Sequence, residues 1–307
     1  MGNEDFIMKS IDKEVSRGWA FPIPLNWVPL IPGIAVTPIG VAKQYTLNEK
    51  GGIIPKNRMT HDCSHPSKSG LSLNLRIDDD KMEECIYGMC LWRILYQIHQ
   101  LRLENPGVAI LLSKLDFDSA YRRMSINFIF AFMCTIVIGP SAYILCRLPF
   151  GVSPAAGIFS LLSDFVVDMA QALFEDPTWS PSTLNSPLAE SLLSPVYLTG
   201  DFGIAGPLLV DIKAKQLVSA EVFINDMIMV CLAFEKYIRK ATNAIPLILN
   251  AIFRPILNET VSRQPILNAI KTMIEGRLEE IKTILGWLIN TRKLSIHLPK
   301  EKKEKWT

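Results

Sequence analysis

Several features that would have placed this chain at once are missing. Its six cysteines, Cys63, Cys85, Cys90, Cys134, Cys146 and Cys231, form no CxxC pair. The opening MGNEDFIMKS is too polar for a signal peptide. Together these point to a reducing setting, the cytoplasm or nucleus, and away from a secreted disulfide framework. Charge of one sign is missing as well: 32 Lys and Arg stand against 30 Asp and Glu. That balance makes no electrostatic case for nucleic acid, which would need a local basic surface instead. Gly2 has Phe6 where a myristoylation motif asks for Ser or Thr, and Asn258-Glu259-Thr260 is a glycosylation pattern without a secretory signal. Composition argues against disorder, with 49% hydrophobic and 20% charged residues. A chain of 307 residues can bury a substantial core in one large domain or two intimate subdomains.

What is there begins with a long uncharged run, Met124 to Cys146, bounded by Arg122, Arg123 and Arg147. Its length suits a spanning helix. Gly139-Pro140-Ser141 divides it, however, into Phe128–Ile138 and Ala142–Arg147, both rich in β-branched and aromatic residues, so a buried hairpin and no membrane is the expectation. Upstream, residues 1–49 carry Pro22, Pro24, Pro29, Pro32 and Pro38 among aromatics and read as a Pro-rich N-terminal extension wrapped over a core. Ile53 to Asn74 reads as a strand and loop with Lys56, Arg58, His61, Asp62, His65 and Lys68. His61, Cys63 and His65, with Cys85 and Cys90, match no common zinc module, and strand alternation places the first three on one face without any metal. Asp78, Asp79 and Asp80 mark the start of a helix running to Arg102, with Ile86, Met89, Cys90, Ile94, Ile98 and Leu101 at helical spacing.

The stretch KLDFDSAYRRM, from Lys114, delivers acids at the end of an apolar strand. Asp116 inside that strand would be costly without compensation, which a metal ion or a paired cation supplies. On this stretch alone, capping the next helix or pairing with Arg122 or Arg123 is the better account. Ser153-Pro154 is a strong helix start, and a helix to about Ala170 follows. The G-x-S-x-A string there is no hydrolase elbow, because Pro154 lacks the N–H that the oxyanion hole requires. Residues 172–218 read as an insertion. Ala220 to Val230 forms two apolar runs around Asn225-Asp226, a hairpin whose turn is either functional or merely a favourable β-turn. From Ala233 to Lys282 the pattern is helical, with Glu279 and Glu280 expected on an exposed face. Thr283–Ile289 and Lys293–Leu298 read as a hairpin around Asn290-Thr291-Arg292, with Arg292-Lys293 a basic candidate for nucleic acid. Residues 300–307 are a charged tail.

Taken in order, KLDFDSAYRRM, LPFGVSPAAGIFS, FINDM and LGW resemble the reverse transcriptases, most closely those of retrotransposons, over about residues 44–300. The resemblance implies an α+β fold of right-hand polymerase fingers and palm over 50–299, with an antiparallel palm sheet backed by helices. The thumb would be truncated, so that a fragment or degenerate copy is expected. It implies template-directed nucleotidyl transfer on RNA or DNA template-primer with dNTP, through two Mg2+ ions bound by Asp116 and Asp226. By the same resemblance Arg58, matched with Asp62, contacts the triphosphate, Tyr121 lies under the incoming sugar, and Gly151, Ser153 and Pro154 support template and nucleotide. Leu285, Gly286 and Trp287 fall on the primer grip. The departure is Asn225, which stands where the first of two paired aspartates belongs and offers a neutral amide carbonyl in place of a charged ligand. Activity is therefore expected to be weakened or lost. Asp118 lies two residues from Asp116, but the family does not use that position as a ligand. The alternatives are a non-catalytic nucleic-acid-binding remnant and a small membrane protein spanning 124–146.

Overall fold

The computed structural model describes residues 3–48, 52–66, 70–82, 88–181, 187–208, 217–253, 265–300 and 303–304. In chain order the elements are α1 (Asn3–Ser16), β1 (Ala20–Pro24), β2 (Ile39–Leu47), β3 (Ile53–His61), α2 (Cys90–Glu104), β4 (Ile110–Asp116), α3 (Phe128–Met133), β5 (Thr135–Ile138) and β6 (Ser141–Leu145). After these come α4 (Ala155–Glu175), α5 (Pro187–Leu192), β7 (Val218–Phe223), β8 (Asp226–Leu232), α6 (Glu235–Ile252), α7 (Ala269–Glu275), β9 (Ile281–Ile284), β10 (Trp287–Asn290) and β11 (Ser295–His297). The chain is thus mixed helix and strand, with all its named strand pairs antiparallel. It divides into two compact units, one built on Met1–Cys85 and Ser119–Phe159, the other on Ile86–Asp118, Ser160–Arg254 and Pro265–Thr307.

In the first unit β1, β6 and β5 form one sheet, and β2 and β3 a separate two-stranded ribbon. Ile11 of α1, Ala20, Cys63, Cys134, Ile136, Leu145 and Leu148 share one buried cluster. The N-terminal residues expected as an extension therefore hold a helix and a sheet strand, in which Ala20 and Ile23 are buried while Phe21 is exposed. The uncharged run 124–146 is neither a spanning helix nor wholly a hairpin. Asn127 caps a short helix first, its side chain accepting from Phe130 N at 2.8 Å, and only then do β5 and β6 pair about a turn in which Gly139 takes φ +56. A capping residue thus overrides the strand propensity of Phe128 to Met133.

In the second unit the sheet order is β4-β8-β7, with β11-β10-β9 as a second antiparallel sheet. Ile94, Ile98 and Leu101 of α2 pack on Ile110, Leu112, Ile228 and Val230 in one buried cluster. That helix begins at Cys90 and not at Asp78: Asp79–Lys81 is a separate single 3-10 turn, and residues 83–87 lie outside the described residues. Helix α4 runs on to Glu175, because the Lys240 ammonium donates to the carbonyls of Leu173 (3.3 Å), Phe174 (3.1 Å) and Asp176 (2.8 Å) at its carboxyl end, where a cation complements the helix dipole. Among the described residues α4 is the one helix long and apolar enough to cross a membrane, yet Phe159, Val166, Ala170 and Phe174 on it are core residues. Within 172–218 lie α5 and Val196, which bridges Glu279; residues 182–186 and 209–216 are outside the described residues. The strand expected over 283–289 is two strands. Leu285 (φ +48) and Gly286 (φ +85) make the two-residue turn between β9 and β10, a pair of positive φ values that matches a type I′ hairpin.

Candidate functional site

Strand β4 is buried along almost its whole length and ends at Asp116, which is 5% exposed. Its partner β8 begins at Asp226, and the register sets the two aspartates directly opposite each other. Opposed residues of an antiparallel pair hold their Cβ atoms about 4.5–5.5 Å apart, so the two carboxylates are forced into one locality. The turn before β8 is Ile224-Asn225, with Ile224 at φ +55. A β-branched side chain rarely adopts that conformation, and such strain gathers at functional turns. Asp226 is accordingly a strand residue rather than half of the turn, and Asn225 stands alone at the tip, its side-chain amide donating to Asp116 Oδ1.

The other oxygen of Asp116 is also taken. Lys271 Nζ lies 2.7 Å from Asp116 Oδ2, with the lysine side chain 31% and the carboxylate 6% exposed. Asn268 places it: its backbone N–H donates to the Asp116 carbonyl at 3.0 Å, while its side chain caps α7 by accepting from Lys271 N at 3.1 Å. Lys114, two residues before Asp116 and so on the same face of β4, reaches Glu275 Oε1 at 2.8 Å and Asp226 Oδ2 at 3.9 Å. Glu275 Oε2 is buried with no hydrogen-bond partner. Burial pushes the Asp226 carboxyl above its usual range; Lys114 opposes that rise and the neighbouring Asp116 adds to it. Burial disfavours the Lys271 ammonium, but the hydrogen bond and charge of Asp116 outweigh it and hold this amine above its ordinary value.

Leu285, Gly286 and Trp287 sit at the β9–β10 turn of the same unit, with Trp287 39% exposed. Arg292 does not offer itself to a ligand. It is 9% exposed and grips Glu280, itself fully buried, through Nη2 at 2.8 Å and Nε at 3.1 Å. The exposed face expected for Glu280 is therefore an interior ion pair.

The first unit holds the remaining candidates. Arg58 lies on β3 opposite Ala42, its guanidinium 4.9 Å above the Phe150 ring, and Tyr121 packs on Phe150 and Phe159 at centroid distances of 4.8 and 5.7 Å. Asn74 fixes the turn that carries Gly151 and Ser153, donating to the Gly151 carbonyl at 2.9 Å and accepting from Ser153 N at 3.0 Å. Gly151 has φ +97, and a Cβ there would lie 2.1 Å from the His61 carbonyl oxygen, so only glycine fits. Asp62 accepts from Ser64 N at 3.2 Å and serves its own turn. His61 Nε2 faces Arg122 Nη2 at 3.0 Å, and Arg122 also pairs with Glu14 at 2.8 Å.

Sequence reasoning missed Lys271, Lys114, Glu275 and Asn74. Strand alternation from Asp116 could have found Lys114; nothing local marks the other three.

No family model matches the sequence, and no curated protein does. Solved structures do match. The foamy viral protease-reverse transcriptase dRH in complex with double-stranded DNA superposes with a TM-score of 0.56 at 14% identity, over 97% of this chain and 35% of that one. The foamy viral protease-reverse transcriptase in complex with RNA/DNA hybrid gives 0.52 at 14% identity, over 98% and 27%. The native prototype foamy virus protease-reverse transcriptase gives 0.50 at 12%, over 94% and 26%. At such identities the likeness is one of fold: the chain has a reverse-transcriptase-like fold and spans about a quarter to a third of the length of these proteins.

That fold implies divalent metal ions, which the residues present do not fit. Paired ions need clustered hard, charged oxygen ligands. Here an amide replaces one carboxylate, both oxygens of Asp116 already accept hydrogen bonds from Asn225 and Lys271, and among the described residues no group of three His, Cys, Asp or Glu side chains is arranged to hold a metal ion.

Proposed function

We propose that this protein is a reverse-transcriptase-like, nucleic-acid-binding member of a retroelement lineage, in which template-directed nucleotidyl transfer is lost. In this reading the first unit acts as fingers and the second as palm, with RNA or DNA template-primer as the partner. The observation that carries it is the β4–β8 register, which sets Asp116 against Asp226 where a polymerase palm would carry its acids, with Asn225 at the tip beside them. The structural neighbours seen with double-stranded DNA and with RNA/DNA hybrid support the choice of partner.

Although the overall charge is balanced, the β2–β3 ribbon is locally basic. Lys56 and Arg58 share one face of its register with the exposed Ile54, and Lys43 lies on the other with the exposed Tyr45 and Ile53. Cations interleaved with an aromatic suit a phosphate backbone and its bases. Arg58, a guanidinium held over Phe150, is the residue for the triphosphate, since its fork binds phosphate oxygens in pairs.

The test is fluorescence anisotropy of a labelled RNA/DNA template-primer across a salt series, run beside primer extension with Mg2+ and dNTP. Binding should weaken with salt, and Lys43→Gln with Lys56→Gln should lower the log–log salt slope by about 1–2. Extension should be absent. Failure to bind template-primer overturns the reading, as does extension that disappears in Asp116→Asn.

A further inference from the structure

The carboxylate pair of the second unit comes with its own cations. Of the two oxygens of Asp116, one accepts from the neutral amide of Asn225 and the other from the Lys271 ammonium at 2.7 Å. Beside them Lys114 stands between Glu275 at 2.8 Å and Asp226 at 3.9 Å. Three carboxylates therefore face two ammonium groups. That near-balance lets Asp116 stay 5% exposed without an ion from solvent, because a buried charge is tolerated when it is paired and hydrogen-bonded.

We infer that Lys271 is the resident cation of this pair: its ammonium, supported by that of Lys114, takes the place on Asp116 that a divalent ion would need, so the site binds no divalent metal. This rests on the palm-like reading of the second unit and deepens it, since the block to metal binding is then twofold, an amide at position 225 and an ammonium at 271. Restoring one carboxylate is not enough. Asn225→Asp alone still leaves Lys271 on Asp116 Oδ2, whereas Asn225→Asp with Lys271→Met presents Asp116, an aspartate at 225, Asp226 and Glu275 against the single charge of Lys114.

Placement supports a built arrangement over a chance contact. Lys271 lies in the first turn of α7, and Asn268 both caps that turn and hydrogen-bonds to the Asp116 backbone. The far end of α7 is fixed too: Ser113 Oγ of β4 donates to the Gly276 carbonyl at 2.6 Å, and Lys282 Nζ donates to those of Glu275 (2.6 Å) and Arg277 (2.7 Å). Helix and strand are tied together at both ends, so the ammonium is held where the carboxylate is.

The experiment titrates Mn2+ into the protein without nucleic acid and follows the free-ion signal by electron paramagnetic resonance, with thermal unfolding alongside. The parent and Asn225→Asp should take up no stoichiometric Mn2+ and show no change in Tm. The double variant Asn225→Asp/Lys271→Met should bind Mn2+, with Tm raised by it. Stoichiometric uptake by the parent that is lost in Asp116→Asn overturns the inference, and so does a folded double variant that binds none. Should the double variant fail to fold, a thermodynamic cycle decides. Lys271→Met should raise the unfolding constant by more than about tenfold, and Asp116→Asn/Lys271→Met should restore it to within about threefold of the parent. Additive effects would overturn the assignment. None of these readouts involves template-primer, so a failure to bind nucleic acid leaves them intact and distinguishable.

Discussion

The side-chain amide of Asn225 donates to a carboxylate oxygen of Asp116, across a hairpin that begins at Asp226. An amide at this tip is thus a hydrogen-bond partner where a carboxylate would be a like charge. Asn225→Asp should accordingly destabilise the protein by about 1–3 kcal/mol at neutral pH, through the lost donor and the new repulsion. Thermal unfolding of parent and variant at pH 7 checks this; an unchanged or higher Tm would show that the amide does not stabilise Asp116.

Gly151 faces a different constraint, since backbone and not side chain closes around it. Its φ of +97 and the His61 carbonyl oxygen 2.1 Å from any added Cβ leave no room for alanine. Gly151→Ala must displace either the turn held by Asn74 or the end of β3, at a cost of at least about 2 kcal/mol. A drop in the urea midpoint with an unchanged m-value is the expected result.

The strand ending in Asp116 was legible because an apolar run stops at an acid, and the hairpin around Asn225 because two apolar runs flank a polar pair. Their exact roles were not. Sequence placed Asn225 and Asp226 together in the turn, whereas Ile224 takes the positive φ and Asp226 opens β8. Lys271 could not have been found locally: it stands 155 positions from Asp116, and only the docking of α7 against β4 joins them. Asn74 is hidden in the same way, 77 positions from the Gly151 carbonyl it holds. Tertiary packing likewise buries Arg292, which beside Lys293 looked like part of an exposed basic pair.

That burial makes its own forecast. Phe202 lies 4.1 Å from the Arg292 guanidinium and 4.4 Å from that of Arg102, and the Leu198 backbone N–H donates to Glu280 at 2.6 Å. Arg292→Met strands a fully buried carboxylate and should lower stability by about 3–5 kcal/mol. Adding Glu280→Leu should recover much of the loss, because removing both charges leaves no buried charge unpaired and forfeits only the neutral partners, the Leu198 N–H and the Gly200 carbonyl. Denaturant titrations of the single and double variants measure this. Template-primer affinity of the folded double variant should match that of the parent; a lowered salt slope would mean that Arg292 reaches phosphate after all.

A last prediction concerns pH and the first unit. His61 is 5% exposed, and Arg122 lies 3.0 Å from its Nε2. A guanidinium can only donate, so Nε2 accepts and the imidazole is neutral. Burial, with the Arg122 charge adding to it, pushes the pKa from 6.5 to about 3. The other charged group at this contact, Glu14, pairs with Arg122. In the unfolded chain His61 binds a proton below about pH 6.5; in the folded protein it does so only near 3. Between those values the unfolded state holds more protons, so stability falls as pH falls, at up to about 1.4 kcal/mol per unit for this one group. Carboxylates titrate over part of the same window, so the informative quantity is a difference. His61→Gln keeps an acceptor for Arg122 but does not titrate, and the parent should lose about 2 kcal/mol more than this variant between pH 7 and pH 5. Parallel curves for the two proteins would show that His61 is protonated in the folded state.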